Sequence, residues 1–174
     1  KSDTEVILAA YHYWGLDFLE HLNGEFAFVL WDSTERRLIA ARDPVGVKPL
    51  YFKNDSKELV FCSEAKGILA LPRTYRQISP DYLASTLMGI YTGKDCAFHG
   101  IESVQPGHVM LVGDDGEITT YPWWKPRYEP DPKMSFEDAK EGLRTELRKA
   151  IKRRQVADVS VHTYLSGGID STLI

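Results

Sequence analysis

The nine residues Gly24-Glu25-Phe26-Ala27-Phe28-Val29-Leu30-Trp31-Asp32 are apolar at alternating positions on both sides of the run. Side chains of a strand point to opposite faces, so a strand of this kind has no face to give to water. The run predicts a strand covered on each side, and hence a layered fold.

The neighbouring residues supply more strands. Ser33 to Arg36 form a polar turn, and Arg37 to Arg42 return as a second strand. Asp43-Pro44-Val45-Gly46 make another turn before strands at Pro49 to Lys53 and Glu58 to Cys62. His108 to Val112 and Glu117 to Tyr121 flank Gly113-Asp114-Asp115-Gly116, a strong hairpin signal.

Helices are signalled by caps and by period. Ser2-Asp3-Thr4-Glu5 reads as a capping box, with apolar residues recurring at Val6, Ala9, Ala10, Tyr13, Trp14 and Phe18 to about Leu22. Ser63 caps a short helix from Glu64 to about Leu69, and Asp81 to Leu87 form another. Lys1 precedes the first cap directly, so the sequence is expected to start in mid-structure. Strands and helices in these positions predict an α+β domain over residues 1–121.

Composition changes at Pro122. Pro122, Pro126, Pro130 and Pro132 make residues 122–134 an extended linker. Ser135 then caps a long helix with Phe136, Ala139, Leu143, Leu147 and Ile151 on one face. Residues 135–174 are expected to open a second domain. The basic residues of this helix, from Lys140 to Arg154, read as a solvated face with cations favoured at the C-terminus.

A net charge of −4 gives no reason to expect nucleic acid or an anionic membrane as partner. Cys62 and Cys96 lack metal or redox spacing and suggest a reducing compartment. No apolar stretch approaches a membrane span and no charged-then-apolar leader opens the chain, so the cytoplasm is the expected location. The five histidines show no ligand spacing. Trp31, Trp123 and Trp124 are expected to be packing residues.

The most specific motif closes the chain. A strand-like run from Val159 to Leu165 meets Ser166-Gly167-Gly168, then Asp170-Ser171-Thr172 at a helix start. Backbone N–H groups at such a turn and at a helix N-terminus suit an anion. Glycines permit φ > 0 and leave no Cβ to block a phosphate. Hydroxyls of Ser166, Ser171 and Thr172 add donors, and the Asp170 carboxylate suits a metal ion bound with the phosphates. The lysine of a Walker loop is missing, which argues against γ-phosphate transfer. The stretch resembles the Ser-Gly-Gly-x-Asp-Ser pyrophosphate loop of ATP pyrophosphatases.

Read together, the segments resemble the asparagine synthetase (glutamine-hydrolysing) family. The resemblance rests on Ser2-Asp3-Thr4-Glu5-Val6-Ile7-Leu8, Leu22-Asn23-Gly24-Glu25-Phe26-Ala27-Phe28 and Ala41-Arg42-Asp43-Pro44-Val45-Gly46-Val47-Lys48-Pro49-Leu50-Tyr51. Ser63-Glu64-Ala65-Lys66, Pro106-Gly107-His108 and Leu165-Ser166-Gly167-Gly168-Ile169-Asp170-Ser171 continue it in order. It implies an incomplete αββα glutaminase layer of N-terminal-nucleophile type. The start of an α/β ATP-pyrophosphatase domain, adenine nucleotide α-hydrolase-like, would follow.

The resemblance also implies two coupled reactions. A cysteine at the mature N-terminus releases ammonia from glutamine. ATP and Mg²⁺ then adenylate a carboxylate, typically the aspartate side chain, and ammonia displaces AMP. Asp3 matches the aspartate that pairs with the α-amino group of glutamine. Leu165, Ser166, Gly167, Gly168, Asp170 and Ser171 match the ATP/pyrophosphate loop, with Asp170 as metal ligand. A homodimeric parent is compatible with the family.

Two departures qualify the match. Residue 1 is lysine, and Cys62 (a predicted strand) and Cys96 (a loop) fill no N-terminal position, so no catalytic nucleophile is present. The chain therefore reads as a fragment expected to complete neither reaction alone. Ser160-Val161-His162-Thr163-Tyr164 stand where many members carry a proline and a glycine. Residues selecting the acyl acceptor would lie beyond Ile174. A related synthetase acting on another carboxylate or closing a β-lactam ring, and a non-catalytic nucleotide-binding relative, are the alternatives. Arg42-Asp43 is expected to be a structural turn with a buried ion pair, and Glu64 and Lys66 carry no assigned chemistry.

Overall fold

The computed structural model describes residues 2–55, 57–90 and 96–174. The chain divides into two compact units, Lys1–Pro126 and Arg127–Ile174.

The first unit is built on two antiparallel sheets. One has the order β1 (Ala27–Asp32), β2 (Arg37–Arg42), β6 (His108–Val112), β7 (Ile118–Pro122). The other has the order β4 (Leu59–Cys62), β3 (Tyr51–Asn54), β5 (Glu102–Ser103). Register places Ala41 opposite Val109 and Ala40 opposite Met110. Strand alternation then sends Ile39, Ala41 and Val109 to one face and Ala40 and Met110 to the other.

Those faces belong to separate cores. Ile39, Ala41, Val109 and Leu30 pack with Ala10, Phe18 and Leu19 from helix α1 (Asp3–Trp14) and the 3-10 segment Gly15–His21. Ala40 and Met110 pack with Leu50, Phe52, Phe61 and Val104 between the sheets. On the far side of the second sheet, Ile68 of α2 (Ala65–Leu69) packs with Cys96, Ile101, Tyr51, Val60 and Cys62. The layer order is helix, sheet, sheet, helix: the αββα arrangement the sequence led us to expect. Burying each of Phe18, Ile39 and Ile68 contributes about 2–3 kcal/mol. No helix among the described residues is long and apolar enough to cross a membrane.

Several local expectations need correction. The strand that suggested a layered fold is itself an edge strand, and its Val29 and Trp31 side chains are 41% and 58% exposed. The two-sided burial belongs to β2 and β6, because the three-stranded second sheet is narrower than the first. Trp31 is therefore no packing residue, whereas Trp123 stacks on Phe26 at 5.9 Å. Helix α1 stops at Gly15, whose φ of 57° breaks the α-helix, and the chain continues as 3-10. Ser2 stands at the N-cap with extended backbone, yet its side chain makes no capping bond. At α2 the cap position is Glu64 rather than Ser63. Helix α3 (Pro80–Leu87) starts one residue early, with Ser79 Oγ accepting from Tyr82 N at 3.2 Å.

The Arg42-Asp43 turn is structural, but its two charges do not pair. The buried Asp43 carboxylate accepts backbone N–H groups from Val45, Val47 and Lys48 at 3.2, 3.0 and 2.9 Å. Burial pushes this carboxyl up, and the backbone donors outweigh it, holding the group below the usual range.

The second unit holds α4 (Phe136–Arg154) and α5 (Ile169–Leu173). Ser135 caps α4 as expected, accepting from Asp138 N at 3.1 Å. Lys140, Arg144 and Lys149 each pair with an acid one turn earlier, which fits a solvated face. The expected strand from Val159 to Leu165 is irregular instead. A strand exists through its ladder, and no described residue pairs with this run.

Candidate functional site

Two sites follow from the sequence, one in each unit. Asp3 is the first residue of α1 and is exposed. The helix start is closed by Ser2 O, which accepts from Glu5 N at 3.1 Å and Val6 N at 3.3 Å. Asp3 thus sits in the first turn, where the helix dipole favours a carboxylate.

What holds α1 in place is a polar contact beside its apolar seam. Tyr11 Oη donates to Asp32 Oδ2 of β1 and accepts from Arg37 Nη2 of β2 at 2.9 Å. Burial raises the Tyr11 phenol above its usual pKa and the bond to Asp32 adds to this, against the lowering effect of Arg37. The bond from Tyr11 lowers the Asp32 carboxyl, with help from Glu35 and Thr34 N–H groups. Helix, edge strand and central strand are joined at one hydroxyl.

The second site is the loop from Leu165 to Ser171. Gly167 has φ of 81°, a left-handed conformation that glycine alone adopts freely. Ser166 Oγ and Ser171 Oγ lie 2.9 Å apart across the loop, and Gly168 N donates to Ser166 Oγ at 3.4 Å. Ser171 Oγ and Thr172 Oγ1 donate back to Gly168 O at 3.1 and 2.7 Å. The hydroxyls therefore gather at the entrance to α5, with Asp170 in its first turn. Leu165 is 74% exposed and makes no core.

Do these residues suit Mg²⁺ and a nucleotide phosphate? The donor set is all oxygen plus backbone N–H, which matches a hard cation and a phosphate. Among the described residues no cluster of three or more His, Cys, Asp or Glu could hold a metal by itself. A single carboxylate that shares Mg²⁺ with phosphate oxygens and water is the usual magnesium arrangement. The residues fit.

The cysteines have no such setting. Cys62 and Cys96 are free thiols placed with the same apolar cluster around Ile68. A polar group the sequence gives no role lines a recess at one end of the space between the sheets: the half-buried His108 with the exposed Glu102 and Thr120. Only the β3–β5 and β6–β7 registers reveal it.

Comparison with known proteins decides the family. A glutamine amidotransferase domain model matches residues 1–124, and an asparagine synthase model matches residues 142–174. The chain belongs to the glutamine-hydrolysing asparagine synthetase family. Among the family's curated relatives, asparagine synthetase [glutamine-hydrolyzing] 3 of Bacillus subtilis is 37% identical over 99% of this chain and 28% of its own length. Asparagine synthetase [glutamine-hydrolyzing] 1 of the same organism is 30% identical over 99% of this chain and 27% of its own length. A Gibberella zeae protein named amidase chry2 is 37% identical over 100% of this chain and 26% of its own length. The chain thus spans about a quarter of the length of these relatives.

Proposed function

We propose that this chain is the part of a glutamine-dependent asparagine synthetase that carries one glutamine contact and the pyrophosphate loop. One observation carries the reading. Ser166 and Ser171 face each other 2.9 Å apart beside the left-handed Gly167, at the entrance to a helix, inside the asparagine synthase match.

In this reading Asp3 pairs with the α-amino group of glutamine, whose side-chain amide yields ammonia and glutamate. At the second site the aspartate side-chain carboxylate attacks the α-phosphorus of ATP and expels pyrophosphate. Ammonia then attacks the activated carbonyl, AMP leaves, and asparagine forms. A free carboxylate is a poor electrophile, and adenylation gives it a good leaving group. Hydroxyls of Ser166 and Ser171 and the N–H groups around Gly168 stabilise charge developing on the pyrophosphate. Asp170 would hold Mg²⁺, which would supply further neutralising charge. A cytoplasmic, homodimeric enzyme is part of the same proposal.

A second reading keeps the mechanism and changes the acid. It is favoured by the relatives named amidases, 37% and 38% identical, which match as well as the asparagine synthetases do. The deciding experiment is pyrophosphate release by the complete gene product with a panel of carboxylic acids. Release that requires aspartate supports the first reading. Release with another acid and not with aspartate moves the proposal to the second, and release with none contradicts both.

A further inference from the structure

One end of the space between the two sheets holds a cavity of about 210 Å³, lined among others by Phe52, Glu102, Val104, His108, Met110 and Thr120. Register explains the polar members. Glu102 is the direct partner of Phe52 across β3–β5, and Thr120 is the partner of Met110 across β6–β7. Directly opposed residues share a face, and Phe52 and Met110 belong to the core between the sheets. His108 lies two residues before Met110 on β6 and so shares that face. A carboxylate, an imidazole and a hydroxyl thus share the face that Leu38, Ala40, Phe61 and Val112 occupy elsewhere, with Glu102 and Thr120 exposed at the cavity mouth and His108 half-buried.

The tautomer of the imidazole follows from its neighbour. His108 Nδ1 is 2.8 Å from Pro106 O, a carbonyl that only accepts. Nδ1 therefore carries the proton, and in the neutral ring Nε2 is left as an acceptor. The Glu102 side chain makes no hydrogen bond or ion pair with another described residue. Ser103, also on the cavity wall, is already committed, because its hydroxyl accepts from Arg42 Nη1 at 2.8 Å.

An inward charge on an edge strand also discourages sheet-to-sheet pairing, and β5 and β7 are both edges. That role requires one charge and no cavity. It leaves unexplained why three acceptor groups line a cavity with apolar walls.

We propose that this cavity binds a small primary ammonium ion with a short apolar chain. An ammonium has three donors, and Glu102, His108 Nε2 and Thr120 Oγ1 are three acceptors. The apolar chain lies against Phe52 and Met110. The proposal stands independently of the amide-forming reading.

The test is titration of n-butylammonium chloride into the complete gene product at fixed ionic strength, followed by ¹H–¹⁵N shifts. Size-matched 1-butanol and butyrate are the controls. The expected result is saturable shifts at Glu102, His108 and Thr120 with the ammonium alone. Glu102→Gln should weaken binding about 10-fold and Thr120→Val about 3-fold, as loss of charge-assisted and neutral bonds respectively. Equal shifts with 1-butanol, shifts that never saturate, or an unchanged affinity in Glu102→Gln would overturn the proposal. Aggregation of Glu102→Gln with unaltered ammonium binding would also overturn it and assign the carboxylate to edge protection.

Discussion

Arg42 and Asp43 are consecutive, oppositely charged residues that bind the same loop without binding each other. Asp43 takes backbone N–H groups of Val45, Val47 and Lys48. Arg42 donates to the carbonyls of Gly46, Lys48 and Val104 and to Ser103 Oγ, each at 2.8 Å. One side chain satisfies the donors of the turn and the other its acceptors. Arg42 also ties β2 of the first sheet to β5 of the second.

Asp43→Ala should therefore destabilise the first unit by about 3 kcal/mol, because buried N–H groups lose their acceptor. Urea unfolding monitored by tryptophan fluorescence checks this. The sign with pH follows from the lowered folded pKa. The unfolded carboxyl, near 3.9, binds protons first, so the contribution is present above about pH 5 and is lost as pH falls through the folded value. The gap in stability between the wild-type chain and Asp43→Asn should narrow on acidification. A gap that stays constant to pH 2 would contradict the account.

Gly46→Ala should cost more than Gly116→Ala, although both glycines have positive φ, 71° and 82°. A Cβ on Gly46 would lie 2.7 Å from Pro106 Cγ and 3.1 Å from the Arg42 guanidinium, whereas Gly116 faces open space. The backbone strain is about 1–2 kcal/mol at each site, and the clash adds about 1–3 kcal/mol at Gly46 alone. Paired thermal melts should rank the two variants in that order, and equal melting temperatures would count against the clamp.

Much of this architecture is legible from local signals. The β6–β7 hairpin follows from Gly113-Asp114-Asp115-Gly116, and α4 from the Ser135 cap. The edge position of β1 is not legible, since exposure of Val29 and Trp31 depends on the width of the opposite sheet. Strand β5 is two residues long and exists only through its pairing with Tyr51 and Phe52. The run from Val159 to Leu165 looks like a strand for the converse reason: its composition suits a ladder that no described residue provides. At the sites, Asp3 and the Ser166–Ser171 loop are visible as motifs. The Glu102, His108 and Thr120 group is not, because two strand registers must be known before it assembles.

Tyr11 offers a titration test of the α1 anchor. Its phenol is raised first by burial and then by the bond to Asp32. Asp32→Asn should bring the Tyr11 pKa down while leaving it above the ordinary value of about 10, since burial persists. Tyrosine Cζ shifts across alkaline pH measure this directly. A Tyr11 pKa unchanged in the variant would show that the bond has no electrostatic weight.

Asp3→Ala, made in the complete gene product, should raise the KM for glutamine about 100-fold, as expected for loss of a charge-paired ligand contact of about 3 kcal/mol. Synthesis driven by added ammonium chloride should stay within about 2-fold of the unaltered protein, since it bypasses glutamine. An equal loss of both activities would place Asp3 in a structural role.

The most direct test of the amide-forming account is the nucleotide product of the complete gene product incubated with ATP, Mg²⁺, aspartate and glutamine. We predict AMP and pyrophosphate in equal amounts with asparagine, and a drop of about 100-fold in folded Ser171→Ala through loss of a pyrophosphate donor. ADP and inorganic phosphate as products, or undiminished pyrophosphate release in Ser171→Ala, would contradict it.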